Sequence, residues 1–249
     1  MEEESKNDSP IYRHRAEDEI PFEAVSGEES NIELISQHIE AHVGEIDSVF
    51  HELISDKVHI DVHWVKPSAA RPFHTFVTSG MSDRPMATPE GMEEYQYAEL
   101  CILLPKHWGI NEGKYQLMEK VFEGEYYWPI YWLKYLARFP HNYSTWLASG
   151  HTIPNGEEAA PFETNTGLGC MLLLPTISFS DAFNELTVSP NKKIRFYGLY
   201  PIYRDEMQFK LENGLDALID KLQDKNVSDI LAADRPNTCK KKGFWDLFR

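Results

Sequence analysis

Apolar residues recur every three or four positions at Ile32, Ile35, Ile39 and Val43, a spacing that predicts a helix over 30–43. Ser30 is placed to cap it and Gly44 to stop it. The rhythm then changes. Residues 47–55, 57–66, 72–79 and 93–104 read as four strands, with a turn-rich loop from Gly80 to Met92 before the last. Within 57–66, Val58, Ile60, Val62 and Trp64 alternate with His59, Asp61 and His63, so the two sets face opposite sides of a strand.

The second half mixes the two rhythms. A helix is predicted over 114–123. Pro129 suits the first turn of another helix, running to Arg138 with Ile130, Leu133, Leu136 and Ala137 as its stripe, ended by Phe139-Pro140. Residues 143–149 read as a strand entering a loop from Gly150 to Gly156, and further strands are predicted over 168–175 and 193–201. Ser189 to Lys192 reads as a turn. Met207, Leu211, Leu215, Leu218 and Leu222 predict a closing helix over 204–222, within which Gly214 costs about 1 kcal/mol against alanine. Strands in runs with helices between them predict an α+β domain, a mixed or antiparallel sheet layered with helices. It spans 28–231, behind a flexible acidic leader (1–27) and ahead of a tail (232–249) carrying Lys240, Lys241 and Lys242 with Phe244, Trp245 and Phe248.

Charge narrows the possible partners. The 249 residues carry a formal net charge of −16, which repels nucleic acid and anionic lipid and attracts basic proteins. Cys101, Cys170 and Cys239 fit neither a disulfide framework nor a paired metal motif, and they suit a reducing cytoplasm. The polar N-terminus predicts no signal peptide, and no apolar run reaches the ~20 residues of a spanning helix. The three-lysine aromatic tail is too weakly basic to anchor on a membrane by itself and reads as a solubilising terminus or a docking peptide.

Candidate chemistry is sparse. His59, Asp61 and His63, joined by His74 if it lies on the neighbouring strand, have the composition of a metal site; the same residues also suit a polar sheet face bonded to its neighbours. His51-Glu52-Leu-Ile-Ser55 lacks the second histidine of a zinc-protease helix, and Gly167-Leu-Gly169 lacks the third glycine of a dinucleotide loop. There is no phosphate loop and no nucleophile elbow, so neither enzyme nor cofactor is expected; the alternative is a metal-dependent hydrolase or oxygenase using the His59, Asp61 and His63 face with His74. Thr78-Ser-Gly-Met-Ser-Asp83 is the stretch most suited to function. Gly80 permits a crowded backbone, and the hydroxyls and Asp83 can either bond turn amides or meet a partner.

The block from His74 to Ser79-Gly80-Met81-Ser82-Asp83, followed by a strand through Glu99-Leu100, resembles the bacterial branch of the suppressor of fused family. Trp128-Pro129, the aromatic-rich helix to Phe139, Ser149-Gly150-His151 and Gly198-Leu-Tyr-Pro201 extend the resemblance from about Glu28 to about Leu231. It implies a binding protein. The animal homologue holds a short peptide partly as an added strand, and bacterial relatives resemble cytosolic immunity proteins that neutralise toxins. The resemblance implies a protein partner, possibly a basic toxin or a peptide added to the sheet edge, met by His74, Ser79, Gly80, Met81, Ser82, Asp83, Glu99, Gly150 and His151. Ser149 stands where the animal homologue's Gly-Asp-His begins and the acid is absent, so contacts that need it do not carry over.

Overall fold

A computed structural model describes residues 2–4, 10–15, 18–21, 29–52, 57–110 and 120–240. Chain order is β1 (Glu2–Glu4), β2 (Pro10–Tyr12), α1 (Glu29–His42), β3 (Ser48–Phe50), β4 (Asp61–Val65), β5 (Phe73–Ser79), β6 (Ala98–Pro105), α2 (Trp128–Asn142), β7 (Thr152–Pro154), β8 (Cys170–Leu174), β9 (Glu185–Ser189), β10 (Lys192–Ile202), α3 (Arg204–Asn213) and α4 (Leu215–Asp224). Eight strands form one sheet in the order β3-β4-β5-β6-β10-β8-β7, with β9 paired to β10. The central β6–β10 pair is parallel, Ala98 beside Arg195, and every other pair is antiparallel. This is the mixed α+β sheet that the patterning predicts.

Strand alternation sorts the core into two faces. Tyr197 and Leu199 of β10 join Val62, Trp64, Phe76, Leu100 and Ile102 beneath the Ile130, Leu133 and Leu136 stripe of α2. Phe196 points the other way with Val65, Val77 and Cys101, against Ile35 and Ile39 of α1. Tyr200 and Ile202 continue that second face under Leu218 and Leu222 of α4. The sheet is therefore covered on both sides, which explains why β5 is buried from end to end and why β6 is buried as far as Leu104.

Several boundaries differ from the sequence reading, each for a local reason. α2 continues through Pro140, because so near a helix end a missing N–H costs a single bond, and Tyr143 and Thr145 amides close the turn on Phe139 and Pro140 carbonyls. Residues 143–149 are not a strand. Leu147 and Ala148 are buried as loop; the Leu147 amide donates to Met86 Sδ, and the Thr145 carbonyl just before them accepts from the Ala87 amide. β7 instead lies within the predicted 150–156 loop. β9 is a strand the sequence reading did not include, although Leu186 and Val188 alternate with Glu185, Thr187 and Ser189, and Glu93 to Tyr95 is a 3₁₀ turn ahead of β6. Gly214, at φ 92°, divides the predicted closing helix into α3 and α4. Of the strand predicted over 47–55 only 48–50 pairs; residues 53–56 lie outside the described residues. So do 114–119 of the helix predicted over 114–123, and Phe122 forms a bridge with Ile110.

Both ends of the chain reach the domain. β1 and β2 form a short ladder where the leader has no period, and the His14 ring lies 5.3 Å from the rings of Phe139 and Tyr143. At the other end, the Glu206 carboxylate, fully buried in α3, accepts from Arg235, from the Thr238 amide and hydroxyl, and from the Tyr203 amide. Most of the basic-aromatic peptide, 241–249, lies outside the described residues.

Candidate functional site

The Thr78–Asp83 turn is built around Glu99, whose side chain is inaccessible to solvent. Its Oε1 accepts from the Gly80 amide (3.0 Å), the Ser82 amide (2.9 Å) and the Ser82 hydroxyl (2.7 Å). Its Oε2 meets Thr78 Oγ1 at 2.6 Å, and that hydroxyl also accepts from the Leu100 amide at 2.9 Å. Burial pushes the Glu99 carboxyl up to about 7, against the donors from Ser82 and Thr78. Gly80, at φ 105°, presses on the segment before β4: a Cβ there would stand 1.7 Å from the His59 carbonyl oxygen. His141 Nε2 reaches the Met81 carbonyl at 2.9 Å, and Asn31 donates to Asp83 at 2.9 Å.

Ser79, Gly80, Met81 and Ser82 are thus buried with Glu99, while Asp83 is partly exposed. Gly150 is buried at φ 87° with its amide on Leu173, and half-buried His151 lies 4.6 Å from the Trp146 ring. Burial, helped by the Lys210 charge, lowers the His151 imidazole to about 4.

The predicted metal set assembles only in part: strand alternation removes His74, His63 turns to Ser79, and His59 and Asp61 meet. His74 shares a face with Trp64, whose indole N–H donates to His74 Nδ1 at 3.1 Å. His63 points to the opposite face, bonded to Ser79 Oγ at 2.8 Å, and burial lowers it to about 4. His59 Nε2 is 3.0 Å from Asp61 Oδ1, and His51 Nδ1 is 2.9 Å from Asp61 Oδ2. Among the described residues, His51, His59 and Asp61 are the group with metal-ligand geometry, their donor atoms all within 4.8 Å of one another. Sequence reasoning set His51 aside as a failed protease motif. The signal lay in pairing the first two predicted strands, since the register Phe50 to Val62 carries His51 toward Asp61.

A second feature was missed. Tyr127, Tyr131 and Tyr135 repeat every four residues on the solvent side of α2. With Trp128, Trp132 and Phe162 they line a cleft of about 540 Å³ that opens beside Pro154 at the end of edge strand β7. Tyr131 is 53% exposed, and the Trp128 indole N–H, buried at its floor, has no hydrogen-bond partner. The thiols are poor nucleophiles by contrast, because burial pushes Cys101 and Cys170 up, and Cys239 to a lesser degree.

A mixed eight-stranded sheet with α2 on one face and α1, α3 and α4 on the other defines a three-layer α+β scaffold. The sequence profile of Suppressor of fused protein (SUFU) matches residues 56–236, and the chain belongs to that family. Solved structures agree on the fold. A SUFU homologue from Neisseria gonorrhoeae aligns with a TM-score of 0.59 at 17% identity, over 84% of this chain and 97% of that one. The Sufu-Fu complex structure gives 0.58 at 14% identity, over 91% and 95%. Drosophila Suppressor of Fused gives 0.52 at 13% identity, over 88% of this chain and 51% of that one. No curated protein matches the sequence. Among the described residues no helix is long and apolar enough to cross a membrane.

Proposed function

We propose that this chain is a non-enzymatic protein-binding module that seats a partner segment in the aromatic cleft of α2, alongside edge strand β7. The cleft carries the reading: exposed Tyr131 between half-buried Tyr127 and Tyr135, beside buried Trp128 with its unbonded indole N–H, has the makings of an interface hot spot. Support also comes from the family, one of whose similar structures is the Sufu-Fu complex. Pro154 lacks an N–H, so a strand added at β7 is held by few backbone donors, and the cleft side chains supply most of the affinity. Asp83 and His151 are the accessible members of the predicted set. Ser79, Gly80, Met81, Ser82 and Glu99 hold the turn that presents Asp83, Gly150 adjoins His151, and His74 is engaged with Trp64 and the Lys106 carbonyl instead.

The finer reading is a cytoplasmic immunity or antitoxin-type protein that neutralises a toxin. The charge of −16 supports it, because it steers a basic partner and speeds encounter. The test is co-purification of the untagged chain from its source cell, identification of the partner, and calorimetry with Tyr131→Ala. A hot-spot tyrosine is worth about 2 kcal/mol, so binding weakens roughly 30-fold. Unchanged affinity in Tyr131→Ala and in an Asp83/His151 double alanine variant would remove this assignment.

A further inference from the structure

Asp61 is only 1% exposed, yet both its carboxylate oxygens face imidazoles, at 2.9 Å from His51 and 3.0 Å from His59. A third contact, the Glu52 amide donating to Oδ1 at 3.1 Å, fixes the carboxylate's orientation, as a hydrogen bond to a ligand does in metal centres. We propose that His51, His59 and Asp61 bind a divalent transition-metal ion of the zinc class. Two nitrogens and one carboxylate suit zinc and its neighbours rather than calcium or magnesium, which favour all-oxygen shells.

Zinc–nitrogen and zinc–oxygen bonds of about 2.0–2.1 Å place tetrahedral ligand atoms roughly 3.3 Å apart. The two imidazoles now bond different oxygens of Asp61, and the donor atoms lie within 4.8 Å of one another, so an ion requires both nitrogens to turn toward one carboxylate. The His51 ring is free to make that turn, since its side chain is 66% exposed. The same exposure gives the ion its entry path and leaves the fourth position to water. The neighbouring charges of Glu52 and Arg138 pair with each other. The ion would balance a carboxylate that is otherwise costly to bury. The site also ties the segment after β3 to the start of β4, where Gly80 presses on the His59 carbonyl. It is independent of the cleft, so either assignment can fail without the other.

The experiment is titration of the untagged full-length chain with Zn²⁺ by calorimetry, with metal analysis after dialysis. One equivalent is expected. His51→Ala and His59→Ala weaken it by at least roughly 10- to 100-fold, the loss that follows even when only a hydrogen-bond partner of a ligand is removed, and His107→Ala, at an exposed position elsewhere, leaves it unchanged. Co²⁺ gives tetrahedral visible absorption with the wild type and loses it in His51→Ala. Binding no tighter than about 100 µM, or histidine variants that titrate like the wild type, overturns the proposal.

Discussion

Replacing Glu99 by glutamine tests the centre of the turn. At neutral charge the carboxyl fits its surroundings without rearrangement: Oε1 keeps the Gly80 and Ser82 donors, and a proton on Oε2 is donated to Thr78 Oγ1 at 2.6 Å. Thr78 then turns its own hydrogen to the Leu100 carbonyl at 3.4 Å while still accepting the Leu100 amide. Glutamine copies this arrangement, its Nε2 standing where the carboxyl proton stands. The folded carboxyl titrates near 7 against an ordinary 4.5. Between those values the folded chain holds a proton that the unfolded chain has released, so the wild type loses stability as pH rises. The loss amounts to about 2 to 3 kcal/mol between pH 5 and pH 8.5. Glu99→Gln lacks this loss. Urea unfolding of both proteins at the two pH values is expected to show them nearly equal at pH 5 and the variant more stable, by about that amount, at pH 8.5. A variant less stable than the wild type at pH 8.5 by about 2 kcal/mol would refute the reasoning, because it would mean that the four donors hold the carboxylate charged.

Two further substitutions probe packing and charge. Gly80→Ala drives a Cβ into the His59 carbonyl at a backbone angle alanine avoids, and is expected to cost about 3 kcal/mol, read as a fall in thermal midpoint; an unchanged midpoint would contradict the close approach. Arg235→Met leaves the buried Glu206 carboxylate without its cation and is expected to cost about 3 to 5 kcal/mol by urea denaturation, whereas a cost under about 1 kcal/mol would show the pair to be incidental.

The sequence disclosed what periodicity can disclose. β6, β8 and the second half of β10 are strongly apolar, and the stripe of α2 and the layered α+β class follow from patterns that burial on two faces imposes. What stayed hidden depends on register and on solvent-facing choices. Glu99 reads as one polar position in an apolar strand, and only the fold shows it turned onto the amides of Gly80 and Ser82. His51 gains meaning from a hairpin pairing that fixes it near Asp61. The tyrosines of α2 lie on the face opposite the core stripe, where helical spacing says nothing about whether a neighbouring loop makes a cleft of them. Trp146, Leu147 and Ala148 are apolar enough to read as a strand, yet they fill the core from a loop.

The parallel junction of β6 and β10 has a consequence for synthesis. β3 to β6 form a meander of near neighbours, so this half can assemble soon after it leaves the ribosome. Its last strand then waits: Ala98 to Cys101 acquire their partners only when Arg195 to Gly198 have emerged. Until then a largely apolar strand, Ala98–Pro105, is an open edge, the kind of surface that recruits other chains. Translation beyond residue 202 closes that edge, so a nascent chain stalled between the two strands is the species of this protein most in need of a chaperone.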